Sequence, residues 1–293
     1  MATSDVLPHD DRGFGDPVVL LHGFPLNRGI WKGQLESLAV GNRVLAFDLP
    51  GYGQASTLRA PETLESLSAV VESSTHALAS PPAVVIGHSL GGYLALQKYA
   101  DHPQRVRALV LTNTRAIPDS EESAAKRYAT IARLRQEGPG GFAVETARSL
   151  LAPANASNAD LFPAVLQMVR AAPVPAMVSS LLALANRPDY TPLLSEVHVP
   201  TLVIWGEEDR TMPTEETKKL VKAIPGAKGV GLPGTGHLPF LENPSAFNEA
   251  VRAFLEGLPK TGEKGPSAAA EWETRQEASK TPATPKTAAP AKK

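Results

Sequence analysis

The chain contains no cysteine. That absence excludes a disulfide framework, a thiolate nucleophile and a cysteine-ligated zinc site. Net charge is nearly absent as well. There are 29 basic and 30 acidic side chains, leaving −1 at pH 7, so no global field favours nucleic acid or an anionic lipid surface. No apolar run approaches the roughly 20 residues needed to cross a bilayer. The opening residues, Met1-Ala2-Thr3-Ser4-Asp5, are not a basic stretch followed by an apolar one, which is what a signal peptide requires. A Walker lysine and a dinucleotide glycine fingerprint at the first strand are missing too. No His/Asp/Glu group has metal-ligand spacing, and His9-Asp10-Asp11 reads as a solvated turn. These absences predict a cytoplasmic protein with a small-molecule substrate, no nucleic-acid or membrane partner, no metal and no cofactor.

At 293 residues the chain is long enough for one large α/β domain or two small ones, and a core of that size needs no staple. Short, uninterrupted apolar runs mark strands at Val18–Leu21, Arg43–Phe47, Ala83–Ile86, Ala108–Leu111 and Thr201–Trp205, with a weaker one at Lys228–Leu232. Runs of this kind suit strands covered on both faces. Helical patterns lie between them, over Ile30–Ala39, Thr63–Ala79, Gly92–Ala100, Pro213–Ala223 and Pro244–Leu258. The alternation predicts a doubly wound, mostly parallel α/β sheet, with residues 1–114 and 196–258 as its core. A further strand at Val6–Asp11 is expected to pair antiparallel with the first core strand.

Residues 115–195 break the alternation. Ser123–Gln136, Gly141–Leu151, Asp160–Val169 and Ala176–Ala185 read as helices split by proline and glycine. A helical insertion after a parallel strand predicts a lid over the strand ends, where ligands of open α/β sheets bind. Leu150, Leu151, Met168, Met177 and Leu181 are its apolar candidates to face a substrate. Residues 259–293 are dominated by Ala, Pro, Thr, Lys and Glu, with seven basic and four acidic side chains and Trp272 as the one aromatic. Such a segment has too little to bury, so disorder is expected there.

The stretch with most chemical content is Gly87-His88-Ser89-Leu90-Gly91. An apolar strand precedes it and a helical pattern follows. That context reads as a nucleophile elbow, a tight strand-to-helix turn that exposes a serine on strained backbone. A serine hydroxyl needs a base in reach and donors for the oxyanion it creates. His237, in Gly234-Thr235-Gly236-His237-Leu238-Pro239, is the candidate base among seven histidines. His22 and His88 adjoin other motifs, and His9, His76, His102 and His198 lie in polar or helical surroundings. Asp209, beyond the strand that ends at Trp205, is the candidate orienting acid, with Glu208 as its competitor. The backbone N–H groups of Leu90 and Phe24 are the candidate oxyanion donors. Asp48, in Asp48-Leu49-Pro50-Gly51-Tyr52-Gly53, is read as structural.

The order Ser89, Asp209, His237 is the order in which α/β-hydrolases carry this triad. His22-Gly23-Phe24-Pro25, Asp48–Gly53, Gly87–Gly92, Gly206–Asp209 with Pro213, and Gly236-His237 together make the chain resemble the α/β-hydrolase superfamily over Val6 to Leu258. Asn186-Arg187-Pro188-Asp189, Val199-Pro200-Thr201 and Glu242-Asn243-Pro244 look like its 3-oxoadipate enol-lactonase, non-haem haloperoxidase and carboxylesterase group. The N-terminus is short for that pattern, so the usual first strand is expected to be absent. The resemblance implies hydrolysis of a carboxylic ester or lactone of a small apolar substrate through an acyl-enzyme. Carbon–carbon bond hydrolysis or peracid formation would use the same triad. A non-catalytic binding protein on this fold would be expected to carry a damaged one. Serine at the elbow disfavours the epoxide hydrolases and haloalkane dehalogenases, which carry aspartate there.

Overall fold

Each apolar run becomes a strand, in a computed structural model that describes residues 6–78 and 82–259. The readings made for residues 260–293 lie outside the described residues. Chain order is β1 (His9–Arg12), β2 (Asp16–Leu21), α1 (Lys32–Leu38), β3 (Asn42–Phe47), α2 (Leu64–Leu78), β4 (Ala83–His88), α3 (Leu90–Asp101) and β5 (Val106–Thr112). There follow α4 (Glu121–Glu137), α5 (Gly140–Leu150), α6 (Leu161–Ala171), α7 (Val174–Ala185) and α8 (Thr191–Leu194). The sheet then resumes with β6 (Thr201–Gly206), α9 (Thr214–Ala223), β7 (Lys228–Leu232), α10 (Pro239–Glu242) and α11 (Pro244–Glu256).

The seven strands lie in the order β1-β3-β2-β4-β5-β6-β7. All pair in parallel except β1 with β3. Helices cover both faces, so the central strands are apolar without alternation, and β4 is buried at every position. From β2 the chain moves outward to β3, then returns to lay β4 on the other side of β2. The β2/β4 boundary is therefore the topological switch point, where loops leaving in opposite directions open a crevice at the carboxyl ends of the strands. The loop after β2 carries Phe24 and the turn after β4 carries Ser89, so both sit at that crevice.

The N-terminal strand differs from expectation. It spans His9–Arg12 and pairs with β3, with His9 opposite Phe47 and Arg12 opposite Val44. It does not pair with the first core strand, because both edges of β2 are occupied by β3 and β4. The outer edge of β3 is the one left to cover.

Residues 115–195 fold into α4–α8 with no strand. Ser120 accepts a hydrogen bond from Ser123 N–H (3.2 Å) to cap α4, and Gly138 at φ 71° ends it. The two ends of the insertion are tied to each other. Arg187 is buried and donates to Asp119 Oδ1 (2.7 Å), to Ile117 O (2.9 and 3.0 Å) and to Leu184 O (2.9 Å). Arg115 and Arg127 close on the same Asp119 carboxylate. Tyr190 N–H donates to Ala116 O (2.9 Å), and its hydroxyl meets Gln97 of α3 (2.7 Å). The described residues up to Leu258 accordingly form one compact unit that includes the insertion. Among the described residues no single helix is long and apolar enough to cross a membrane. The apolar pair α6 and α7 bends by 93°, and α7 buries most of its surface inside the fold.

Candidate active site

Ser89 sits between the last residue of β4 and the first of α3, at φ 52° and ψ −111°. A non-glycine residue in that region stores strain of order 1–3 kcal/mol, which only a well-determined surrounding can hold. The surroundings do determine it. Ser89 N–H donates to Thr112 O (3.0 Å), and Ser89 O accepts from Gly92 N–H (2.9 Å) and Thr114 Oγ1 (3.0 Å). The flanking glycines are required by contact. A Cβ on Gly87 would lie 2.2 Å from Gly91 O, and one on Gly91 would lie 2.1 Å from Leu21 O. Backbone atoms cannot yield to such overlaps, so neither position accepts a side chain.

His237 and Asp209 arrive from the far side of the sheet, on the loops after β7 and β6. His237 Nδ1 lies 2.6 Å from Asp209 Oδ2, and both side chains are buried. The carboxylate accepts, so Nδ1 carries the proton and Nε2 is left with a lone pair. Asp209 Oδ1 accepts from the Thr211 and Met212 N–H groups (2.8 and 2.9 Å). Burial opposes ionisation of Asp209, but the charge and hydrogen bond of His237 and the other donors outweigh it, holding the carboxyl below its ordinary range. Glu207 and Glu208 beside it are exposed. Exposure leaves Glu208 without the fixed, desolvated geometry that Asp209 has.

Two residues around this pair escape a reading of the sequence. Asn113, just past β5, donates to Asp209 Oδ2 (2.5 Å) from a backbone at φ 47°. An asparagine at the carboxyl end of a strand, tolerant of positive φ, was the available signal. Glu242 is the second. Its carboxylate accepts from Gly236 N–H (2.8 Å) and Leu238 N–H (3.3 Å) on either side of His237, and from Ala152 N–H and Asn155 Nδ2 (both 2.8 Å) in the insertion. His237 N–H itself donates to Leu150 O (2.9 Å). The His237 loop is thus clamped to the end of α5.

The Leu90 N–H is the first of a helix and has no intrahelical acceptor. Among the described residues neither it nor the Phe24 N–H is donated to another protein group. Leu26 N–H closes the Phe24 turn on Gly23 O (2.9 Å), and the Phe24 ring lies 6.2 Å from that of Phe142 in α5. Of the apolar candidates in the insertion, Leu150, Leu151, Met177 and Leu181 are buried. Met168 is half-buried, with its Cε 3.5 Å from where a Cβ on Gly29 would stand. A cavity of about 570 Å³ opens elsewhere, between the Gly51–Glu62 loop and α4 and α7, and is not lined by Ser89, Asp209 or His237.

His22 and Asp48 brace the loop after β2. Asp48 is buried and accepts from the Arg28 and Gln54 N–H groups (2.9 and 2.7 Å) and from the Arg28 guanidinium. His22 Nε2 accepts from Leu49 N–H (3.0 Å), so its Nδ1 carries the proton and donates to Gly23 O (3.0 Å). The ring must be neutral to accept. Burial lowers its pKa from 6.5 to about 4, against the raising effects of Gly23 O and Asp48. A histidine held neutral takes up its proton more readily in the unfolded chain, so acid favours unfolding. Stability is therefore expected to be intact above pH 6.5 and to fall by about 3 kcal/mol as pH drops toward 4. Thermal midpoints measured across that range should flatten in His22→Gln. An equally steep decline in that variant would refute the assignment.

Comparisons with known proteins bear on the fold and the family. Residues 16–244 match the family model described as the alpha/beta hydrolase fold. A pimeloyl-[acyl-carrier protein] methyl ester esterase from Xanthomonas axonopodis pv. citri is 30% identical over 252 residues, which is 84% of this chain and 98% of that protein. A thermophilic esterase from Thermogutta terrifontis superposes with a TM-score of 0.82 at 35% identity, covering 85% of this chain and 93% of its own. An enol-lactonase from Burkholderia xenovorans LB400 superposes with a TM-score of 0.79 at 25% identity, over 85% and 96% of the two chains. With its parallel sheet, its strained serine turn and a family match over most of its length, this chain belongs to the alpha/beta hydrolase fold family.

Proposed function

We propose that the protein is a serine hydrolase that cleaves a carboxylic ester or lactone of a small apolar acid through an acyl-enzyme. The observation that carries the reading is the buried Asp209–His237 hydrogen bond of 2.6 Å, with the His88 ring 4.7 Å from that of His237 and Ser89 next in the chain at φ 52°. A carboxylate that orients an imidazole, with a serine hydroxyl in that imidazole's reach, is the arrangement that makes serine nucleophilic at neutral pH.

Ser89 Oγ attacks the carbonyl carbon as His237 Nε2 takes its proton. The N–H groups of Phe24 and Leu90 receive the negative charge on the former carbonyl oxygen. The imidazolium, stabilised by Asp209, gives the proton to the leaving alkoxide as the carbon–oxygen bond breaks. Water then adds to the acyl-enzyme with His237 as base, and the free acid leaves. Residues 115–195 act as the lid. Phe142 beside Phe24, and Leu150 O on the His237 N–H, support that role, since both contacts bring the insertion onto the reacting loops.

The named activities of the relatives, a methyl ester esterase, an esterase and an enol-lactonase, support ester or lactone carbonyls as the substrate class. Steady turnover of p-nitrophenyl butyrate and of a medium-chain acid methyl ester is expected, together with fluorophosphonate labelling on the peptide that contains Ser89. Labelling on any other residue, or acylation without turnover, would sink the reading.

A further inference from the structure

The residue before the nucleophile has no part in the mechanism above, yet its ring occupies the centre of the site. We propose that His88 is a positioning residue: it sets the proton-accepting His237 against Ser89 through one hydrogen bond and one ring contact. The inference rests on Ser89 and His237 being nucleophile and base.

His88 is fully buried, and its Nε2 lies 2.8 Å from the backbone carbonyl oxygen of His237. A carbonyl only accepts, so Nε2 carries the proton and donates it. Among the described residues this is the one hydrogen bond that ties the Gly87–Gly91 turn directly to the Gly234–Leu238 loop. The imidazole also stands edge-on to the His237 ring, with centroids 4.7 Å apart, and to Phe240 at 5.0 Å. Its other edge faces the loop after β2. A Cβ on Gly23 would fall 2.5 Å from His88 Nδ1 and 3.1 Å from Ser89 Cβ. One ring therefore touches the base loop and the glycine that precedes Phe24, and is covalently next to the nucleophile.

Electrostatics favour a neutral ring there. His88 Nδ1 has no hydrogen-bond partner. Burial first, then the neighbouring His237 and His22, keep the side chain far below its ordinary pKa. Those two histidines are the titratable groups that act on it from the loops after β7 and β2. A neutral donor can hold the His237 loop without competing with the imidazolium that forms on His237 during the reaction. A cation at the same place would compete. Proton transfer tolerates little misplacement, and a shift of about 1 Å in such a site costs about 100-fold in rate. The distance between two loops that are 149 residues apart in sequence is thus held by His88.

Three substitutions separate the hydrogen bond from the ring. Glutamine places an amide N–H where Nε2 stands, asparagine is too short to reach His237 O, and phenylalanine keeps the ring but donates nothing. His88→Asn and His88→Phe are expected to lower kcat on p-nitrophenyl butyrate by about 10- to 100-fold with KM changed less than about threefold. The rate of fluorophosphonate labelling should fall in parallel. His88→Gln should return kcat to within about threefold of wild type. Should His88→Phe not fold, the asparagine–glutamine pair carries the comparison. Wild-type kcat in His88→Asn, or a glutamine variant as slow as the asparagine one, overturns the proposal while labelling of Ser89 stands. Wild-type protein that fails to label at Ser89 overturns the parent reading, and this one with it.

Discussion

Ser89→Ala is expected to lower kcat on p-nitrophenyl butyrate by about 10⁵-fold and to abolish fluorophosphonate labelling, with the fold intact. The hydroxyl oxygen is the only heavy atom removed, and the backbone that presents it is fixed by partners the mutation leaves alone. Ser89 N–H and O are bound to Thr112, Gly92 and Thr114. The residual rate should be that of oxyanion stabilisation and binding alone. A companion variant tests the strain. Ser89→Gly should be equally inactive, yet more stable than Ser89→Ala by about 1 kcal/mol or more, because φ 52° is costly only for a residue with a Cβ. Denaturant midpoints of the two inactive variants measure the difference. Equal midpoints would show that the turn is not strained, and undiminished labelling of Ser89→Ala would remove the nucleophile from position 89.

Asp209→Asn is the second large effect. Oδ2 accepts from His237 Nδ1 and Asn113 Nδ2, while Oδ1 accepts from the Thr211 and Met212 N–H groups. An amide has a single acceptor oxygen. If that oxygen faces the Thr211 turn, the amide NH₂ points at His237 and selects the tautomer with its lone pair on Nδ1, leaving Nε2 protonated and unable to take a proton from serine. If it faces His237, the NH₂ meets two N–H donors and the turn is disrupted. Either outcome is expected to lower kcat by about 10⁴-fold with KM little changed. Stability has its own sign. The Asp209 carboxyl is held below its ordinary range, so its contribution is complete above about pH 4 and is lost as acid protonates it in the fold. The stability gap between wild type and Asp209→Asn should therefore narrow below about pH 4. A gap constant with pH would mean that the carboxylate charge contributes nothing to the fold. Activity within tenfold of wild type would remove Asp209 from the acid's role.

The local parts of this site were legible in the chain itself because each depends on near neighbours. A turn tight enough to expose Ser89 needs glycine two residues to either side, and that requirement is written into five consecutive positions. Short apolar runs betray strands covered on both faces, which is why β2 to β6 were anticipated, while β7, an edge strand with its first residues exposed, gave a weaker signal. Pro and Gly at the boundaries of α4 to α7 likewise marked an insertion without strands. The misplaced N-terminal strand shows the limit. Its own residues carry no information about which edge of the sheet lacks a partner. That depends on β4 occupying the second edge of β2, and β4 lies more than 70 residues later.

Long-range polar contacts were the other hidden part. Asn113 reaches Asp209 across 96 residues, and Glu242 reaches Ala152 across 90. Neither partner bears a mark of the other, since asparagine and glutamate are ordinary at a strand end and in a short helix. His88 reads in sequence as the variable position of a pentapeptide. Only when β7 is laid beside β6 does the His237 carbonyl come within 2.8 Å of its ring. Residue type and spacing, then, specified most of the strands and the tight Gly87–Gly91 turn, because backbone sterics and covalent geometry act over a few residues. Which carboxylate is buried against the imidazole, which ring wedges between the loops and which edge takes the first strand were settled by packing, because they depend on distances between segments that meet only in the closed fold.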